Sequence, residues 1–344
     1  MTLPLDLALD RFLNMKLGAQ LLFVRTGEDC VFVVNIHFEI KQSYGDLSQV
    51  TQVVSADYEM EDEPIIPFSE KNIRVFANVS SRIVMGDSIT NIDVLLCENF
   101  EDLLNVYFQN FKIEGTSKPW KAFLGDWIHD EIMRTFGIEY DMKSDNCCYV
   151  LVKLTKKHRT VELEDLEGIR VRAYIQRAID KLDINDPAEI RRFMKSYGTH
   201  YIESFVTGNF IYQVFKYKRS GYNRLRSYIR IRNSRPTLPD NLRFYFSSYY
   251  LKHVGDIKVA SGNKTVEFWA RRNLRDSQYL YSRPSLLRLY YNTNLLYQLN
   301  DMLDHGALIG LKLKTLRPMF EDSAMAEKFA EIVENDLQLW EINA

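Results

Sequence analysis

The sequence predicts an α+β fold, because two kinds of periodicity coexist in it and neither dominates. Apolar and polar residues alternate, as they do in strands, over 20–40, 72–84, 91–97, 201–217 and 255–269. Apolar residues recur at three and four positions, as on one face of a helix, over 119–136, 161–182, 186–198 and 321–340. The composition supports a packed interior: 344 residues, 46% hydrophobic and 26% charged, with only 15 Gly and 9 Pro. Those values belong to a globular chain of one large domain, or one domain with extensions, and not to a linker or a disordered tail.

The first segment, MTLPLDLALDRFLNMKLG, carries acids inside its apolar stretch and lacks the basic start and long apolar centre of a secretory signal. Residues 20–40 read as two strands joined by a tight turn at Thr26-Gly27-Glu28-Asp29. The acidic cluster from Glu59 to Glu63, closed by Pro64 and Pro67, reads as a solvated loop. In 119–136 the residues Trp120, Phe123, Leu124, Trp127, Ile128 and Ile132 fall at helical spacing and are expected in the core. From 161 a proline-free stretch, VELEDLEGIRVRAYIQRAIDKL, reads as helix. A second helix starts where Asp186 can cap the first turn and Pro187 fits its first position, and it ends at Gly198. The last segment is an amphipathic helix whose Met325, Phe329, Ile332, Val333 and Leu337 should pack onto the main domain. No run of about 18 apolar residues is present, so no helix is expected to span a membrane.

The net charge of −2 hides an asymmetry. Residues 1–150 hold 12 Lys/Arg against 24 Asp/Glu, leaving 32 basic and 22 acidic residues for 151–344. Such polarity points to partners or a dipolar surface more than to bulk affinity for nucleic acid. The four cysteines are Cys30, Cys97, Cys147 and Cys148. A bond between the adjacent Cys147 and Cys148 would close a strained ring. The remaining pairings tie Cys30 and Cys97 one each to that pair, and the alternative is four free, buried thiols. Asn78-Val79-Ser80 and Asn263-Lys264-Thr265 are sequons that make Asn78 and Asn263 candidate glycosylation sites and favour a secretory route.

Enzyme chemistry has little to stand on. His37, His129, His158, His200, His253 and His305 form no His-Glu-x-x-His pair, and no nucleophile elbow, phosphate loop or dinucleotide loop occurs. His129-Asp130-Glu131 lies on an expected helix, where the three side chains diverge. No catalytic residue, metal site or cofactor is therefore assigned, and His200 is expected to hydrogen-bond at a helix-to-strand junction.

Residues 197–210 read YGTHYIESFVTGNF. Tyr197, Gly198, Thr199, His200 and Tyr201 at a helix end, six residues from Ile202 to Thr207, and then Gly208 resemble the signature of the membrane-attack-complex/perforin (MACPF) family. That family has a Gly-Gly pair on the following strand, and here Asn209 replaces the second glycine. The resemblance implies a bent, twisted antiparallel sheet flanked by helical clusters, with a C-terminal helix. It also implies a β-rich part at 1–100 packed on or continuous with the core, a MACPF core at 100–310 and a helical extension at 311–344.

Pore-forming relatives convert two helical clusters into membrane hairpins. The second insert departs from that pattern, because Lys216, Lys218, Arg219, Arg224, Arg226, Arg230, Arg232, Arg235 and Arg243 face only one acid, Asp240, over 216–243. Lipid-facing Arg or Lys costs about 2–4 kcal/mol at the bilayer midplane, and Pro236 and Pro239 interrupt any strand. With Tyr222, Tyr228, Phe244, Tyr245 and Phe246 nearby, the cluster is a candidate surface for an anionic polymer or lipid headgroup. Short length and the lack of a cysteine-rich attached module are most similar to the Torso-like members of the family, found in insects. That likeness implies a secreted accessory factor without enzymatic activity, helping a ligand activate the Torso receptor tyrosine kinase in embryonic terminal patterning. Its partners would be an extracellular ligand, receptor or matrix component, not nucleic acid. The alternative is a membrane-inserting effector.

Overall fold

The computed structural model describes residues 76–77, 81–86, 92–122, 129–138, 147–163, 170–231, 240–278, 280–304 and 306–343, together with two short strand pieces near the start. Those pieces, β1 (Ala19–Gln20) and β2 (His37–Phe38), pair antiparallel, as expected for the two ends of the 20–40 hairpin. The turn between them and the acidic cluster at 59–63 lie outside the described residues. Next come β3 (Phe76–Ala77), β4 (Ser81–Met85) and β5 (Ile92–Cys97). Helix α1 (Phe100–Tyr107) follows, capped by the Asn99 side chain, which accepts from the Asp102 amide. The chain continues through β6 (Phe111–Ile113) and a 3₁₀ turn (Pro119–Ala122) to α2 (His129–Thr135).

The middle of the chain supplies β7 (Cys147–Leu163), β8 (Arg170–Val171), α3 (Ala173–Ile179), α4 (Pro187–Tyr197) and β9 (His200–Lys218). It then forms α5 (Arg219–Ile231), α6 (Asp240–Tyr245), β10 (Leu251–Val254), β11 (Lys258–Val259) and α7 (Lys264–Asn273). The hairpin β12 (Arg275–Asp276) and β13 (Arg283–Pro284), a 3₁₀ turn (Leu286–Tyr291), α8 (Thr293–Met302), β14 (Ala307–Thr315), a 3₁₀ turn (Arg317–Met319) and α9 (Ser323–Asn343) complete it.

An eight-stranded sheet forms around the long antiparallel ladder of β7 and β9, which runs from Cys147 opposite Lys218 to Glu162 opposite Ser204. On its outer edge β7 has two successive neighbours and β9 has three. β5 pairs with the first half of β7 and β4 with the second, while β14 pairs with the first part of β9 and β11 and β10 with its later part. β4 and β5 thus place part of the 1–100 segment in the same sheet as the core. The sheet is mixed, because β6 joins β14 in parallel, where the family resemblance implied an antiparallel sheet.

Strand alternation sorts the side chains of β7 and β9 into two cores. Tyr149, Leu151, Phe210, Tyr212 and Val214 face one cluster, built with α1 to α4 and α9. Val150, Val152, Leu154, Ile211, Phe215 and Tyr217 face the other, built with α5 to α8. Both faces being covered, the first eight residues of β7 are buried without a break, which is why they read as a continuous apolar run. The one cation in that run, Lys153, is 2% exposed and lies 4.1 Å from the Phe210 ring centroid. Burial pulls its pKa down to about 8.

Three expected helices or strands change. Of the helix expected from 161, the described residues are helical only over Ala173–Ile179, because Val161 and Leu163 continue β7 in register with β4, and pairing overrides local helical pattern. The strand expected over 255–269 shrinks to Lys258–Val259, because the Asn263 side chain accepts from the Thr265 amide at 3.0 Å and starts α7. The helix expected over 119–136 is a 3₁₀ turn followed by the short α2, with 123–128 outside the described residues. Other expectations hold. Asp186 caps α4 through the Ala188 amide, and Pro187 is its first residue. Phe329, Ile332, Val333 and Leu337 of α9 are buried in the first cluster, with Met325 packed against it.

Truncating Phe215, fully buried against the Phe246 ring at a centroid distance of 4.9 Å, should cost about 3–5 kcal/mol in urea unfolding. Phe268→Ala, at a ring that is 67% exposed, should stay within about 0.5 kcal/mol.

Candidate functional site

The YGTHY segment is a helix end turned directly into a strand. Gly198 closes α4 at φ 94°, a conformation that favours glycine, and its amide donates to the Met194 carbonyl at 2.7 Å. Tyr197 stays on the helix with its ring 4.7 Å from that of Phe193, and Tyr201 is buried as β9 begins. Between them the Thr199 carbonyl accepts from the Leu316 amide at 2.9 Å. His200 has no exposed surface, and both ring nitrogens are used. Nε2 lies 2.9 Å from the Glu114 carbonyl, and Nδ1 lies 2.8 Å from the Thr199 hydroxyl.

A carbonyl only accepts, so the ring carries its proton on Nε2, and the Thr199 hydroxyl donates to Nδ1. Loss of hydration pulls the imidazole pKa down to about 4, outweighing the opposing effect of the Glu114 carbonyl. Glu114 then passes the connection on, because its carboxylate accepts from the amide and hydroxyl of Thr315 at 2.7 and 3.1 Å. One relay therefore ties β9, the end of β6 and the end of β14. No sequence pattern singles out Glu114.

The second half of the signature sits at a waist in the sheet. β7 carries a bulge between Lys157 and Arg159, opposite Gly208. A Cβ on Gly208 would come 2.3 Å from the Lys156 carbonyl oxygen and 2.7 Å from Ile309 Cδ1. Gly86, beyond β4, meets the same bulge from the opposite edge. Its amide donates to the His158 carbonyl at 2.8 Å, and a Cβ there would lie 2.1 Å from the Lys157 oxygen. Above the bulge, Lys156 Nζ donates to the Asn300 carbonyl at 2.7 Å and pairs with Asp304, while His158 Nε2 lies 3.0 Å from the Leu303 carbonyl. These two side chains cap the C-terminal end of α8, whose last turn has no basic residue of its own. Neither Gly86 nor this cap was apparent from the sequence, where each is an isolated residue.

Asn209 does not use the positive φ that its type tolerates. It is fully buried, its Nδ2 donates to Ser261 Oγ at 2.9 Å, and its Oδ1 accepts from the Ser261 amide at 3.2 Å and the Phe210 amide at 3.0 Å. The side chain that replaces the second glycine thus fastens β9 to the loop before α7.

The basic candidates divide. Lys218, Arg219, Arg224 and Arg230 are exposed, and Arg226 pairs with Glu98. Lys216 is corrected: it points into the protein, 2% exposed, and contributes nothing to a surface patch. Arg243 is mostly covered and bridges to Asp276 at 2.8 Å. Arg232 and Arg235 lie outside the described residues. Cys97, Cys147 and Cys148 are free, buried thiols, with burial raising the Cys97 pKa to about 12, so no bond links Cys97 to either member of the pair. Cys30 and Asn78 lie outside the described residues, and Asn263 is the cap of α7. Among the described residues no cluster of His, Cys, Asp and Glu is placed to hold a metal, and no helix is long and apolar enough to cross a membrane.

No protein-family model matches the chain, and no curated protein matches it. Among solved structures it is similar to a MAC/Perforin-domain protein from Bacteroides thetaiotaomicron, at 13% identity and a TM-score of 0.38 over 75% of this chain and 52% of that one. It is also similar to GNIP1Aa from Chromobacterium piscinae, at 9% identity and a TM-score of 0.40 over 73% of this chain and 46% of that one. A third is Astrotactin-2, a vertebrate-specific, perforin-like membrane protein involved in neuronal development, at 11% identity and a TM-score of 0.31 over 83% of this chain and 41% of that one. The chain thus spans about half the length of these structures, or less. At such TM-scores the likeness has no weight of its own, and the chain's own residues decide its reading.

His200 binds its proton more weakly when folded, at about 4 against an ordinary 6.5. The unfolded chain therefore takes up the extra proton, and the stability from this group is complete above pH 6.5 and lost as pH falls toward 4. The loss should approach about 3 kcal/mol. His200→Ala should cost about 2–5 kcal/mol at pH 7 and flatten that acid dependence, both read by urea unfolding at stepped pH. Gly208→Ala, with its new methyl against backbone, should cost about 3 kcal/mol or more by the same measurement, whereas an effect below about 1 kcal/mol would contradict the tight waist.

Proposed function

We propose that this chain is a MACPF-domain protein of the Torso-like kind. It would be secreted and non-enzymatic, and it would act as an accessory factor in extracellular developmental signalling, in the Torso receptor tyrosine kinase pathway of embryonic terminal patterning, without forming pores. The domain reading is supported by Tyr197 to Gly208, where each part of the motif has a distinct physical role. Gly198 turns the helix, His200 anchors the strand and Gly208 allows the close approach at the bulge. The signalling role rests on the resemblance to Torso-like proteins. Its partner would be an extracellular ligand, receptor or matrix component.

The observation that carries the non-lytic part is the burial of Asn209. Opening the sheet at its waist would strip that amide of its Ser261 partners, and each such hydrogen bond contributes about 0.5–1.5 kcal/mol net to the closed form. Turning α5 into a membrane hairpin would add exposed arginines, each costing about 2–4 kcal/mol wherever it faced lipid at the midplane. A non-enzymatic role is favoured by His200, which is held neutral with both nitrogens occupied and has no exposed surface from which to reach a substrate.

Purified protein should release no dye above background from phosphatidylcholine vesicles, with or without phosphatidylserine. Clear leakage accompanied by ring-shaped oligomers in electron micrographs would overturn the non-lytic reading in favour of a membrane-inserting effector.

A further inference from the structure

We propose that the outer face of α5, together with the ring cluster beside it, is a docking surface for a sulphated polysaccharide. α5 contains no acidic residue. Its buried stripe is Tyr222 and Leu225, and its outward residues include Arg219, Asn223, Arg224, Ser227 and Arg230. Arg219, Arg226 and Arg230 recur at helical spacing and form one row, while Arg224 stands about 140° round the helix from it, at the other edge of the exposed face. From Arg219 to Arg230 that row covers about 16 Å of helix axis. Lys218, exposed at the end of β9, adds a further cation just before the helix. Only Arg226 has an ion-pair partner, Glu98, while Arg219, Arg224 and Arg230 have none among the described residues. An exposed row of like charge on one helix repels itself, so an anionic partner with repeated charges would relieve it.

The rings begin on α5 itself. Tyr228 lies 5.0 Å from Tyr245, which lies 5.4 Å from Tyr250. Phe244 and Tyr249 flank Tyr250 at 5.2 and 4.9 Å. The outer members are open to solvent, Phe244 at 49% and Tyr249 at 78%. Guanidinium groups bind sulphate oxygens in a bidentate manner, and an exposed ring face can stack on a sugar ring. Arg224, one helical turn before Tyr228, is the guanidinium beside the rings, and the row lies across the exposed face of α5 from them.

A membrane fits less well. Interfacial helices insert an apolar face, and that face of α5 is already packed in the second core, leaving Phe244 and Tyr249 as the exposed rings of the patch. The choice of a sulphated sugar rests on the extracellular reading above, since that setting supplies such polymers. The docking result and the leakage result are independent, so failure of one leaves the other standing.

Affinity for an immobilised heparin oligosaccharide, measured across a salt series, tests the proposal. The triple variant Arg219→Gln/Arg224→Gln/Arg230→Gln should bind about tenfold or more weakly and show a flatter salt dependence. Tyr249→Ala should weaken binding several-fold without changing that dependence. The control triple Arg177→Gln/Arg192→Gln/Arg317→Gln removes the same charge from exposed positions elsewhere and should bind as the parent does. Equal losses in the two triples, equal binding to desulphated oligosaccharide, or binding to phosphatidylserine vesicles in preference to heparin would each overturn the assignment. Thermal melts matching that of the parent should confirm that all three variants remain folded.

Discussion

A neutral imidazole, shut away from water where α4 becomes β9, holds the ends of three strands together. The Nε2 proton of His200 reaches the Glu114 carbonyl beyond β6, and the Glu114 carboxylate reaches Thr315 at the end of β14. Removing hydration from these groups is costly unless every one is satisfied, so the relay fixes where β9 starts and which residues lie beside it. With that start fixed, nineteen residues of β9 run through both cores without a change of face except where bulges permit it. The register in turn places Gly208 and Asn209 at the waist.

The waist is a point of close contact, not of looseness. Glycines approach the β7 bulge from both edges, Lys156 and His158 tie it to the end of α8, and Asn209 ties β9 to the loop before α7. These are different kinds of interaction, and all act on the same few residues. On the proposed reading, a sheet fastened in this way serves a protein that presents surfaces to partners and does not open. The arginine face of α5 is consistent with that, since its charge lies outward while its apolar side is committed to the core.

Much of this was legible in the sequence wherever a local rule had no competitor. Asp186, Pro187 and Gly198 marked α4, because capping and positive φ are decided within a few residues. The apolar stripe of α9 and the alternation of β9 were equally local. The helix expected from 161 failed because β4 and β9 claim those residues for the sheet, and the strand expected to 269 failed because Asn263 caps a helix, although it had been singled out only as a sequon. At the candidate site, the motif residues were visible but their partners were not. Glu114 lies 86 residues before His200, and Lys156, His158 and Gly86 acquire meaning only when the bulge brings them to the waist. Lys216 misled because its charge suggested a surface, whereas strand register turns it inward opposite Tyr149.

A non-lytic role requires the waist to stay closed while the protein does its work. Native-state hydrogen exchange of the backbone amides from Lys156 to Arg159 and from Thr207 to Phe210, with and without phosphatidylserine vesicles, tests this most directly. A closed waist predicts that these amides exchange as slowly as those of Val150 to Leu154 in the buried half of β7, and that vesicles leave them unchanged. Selective, vesicle-dependent exposure of the waist, with the rest of β7 still protected, would contradict it.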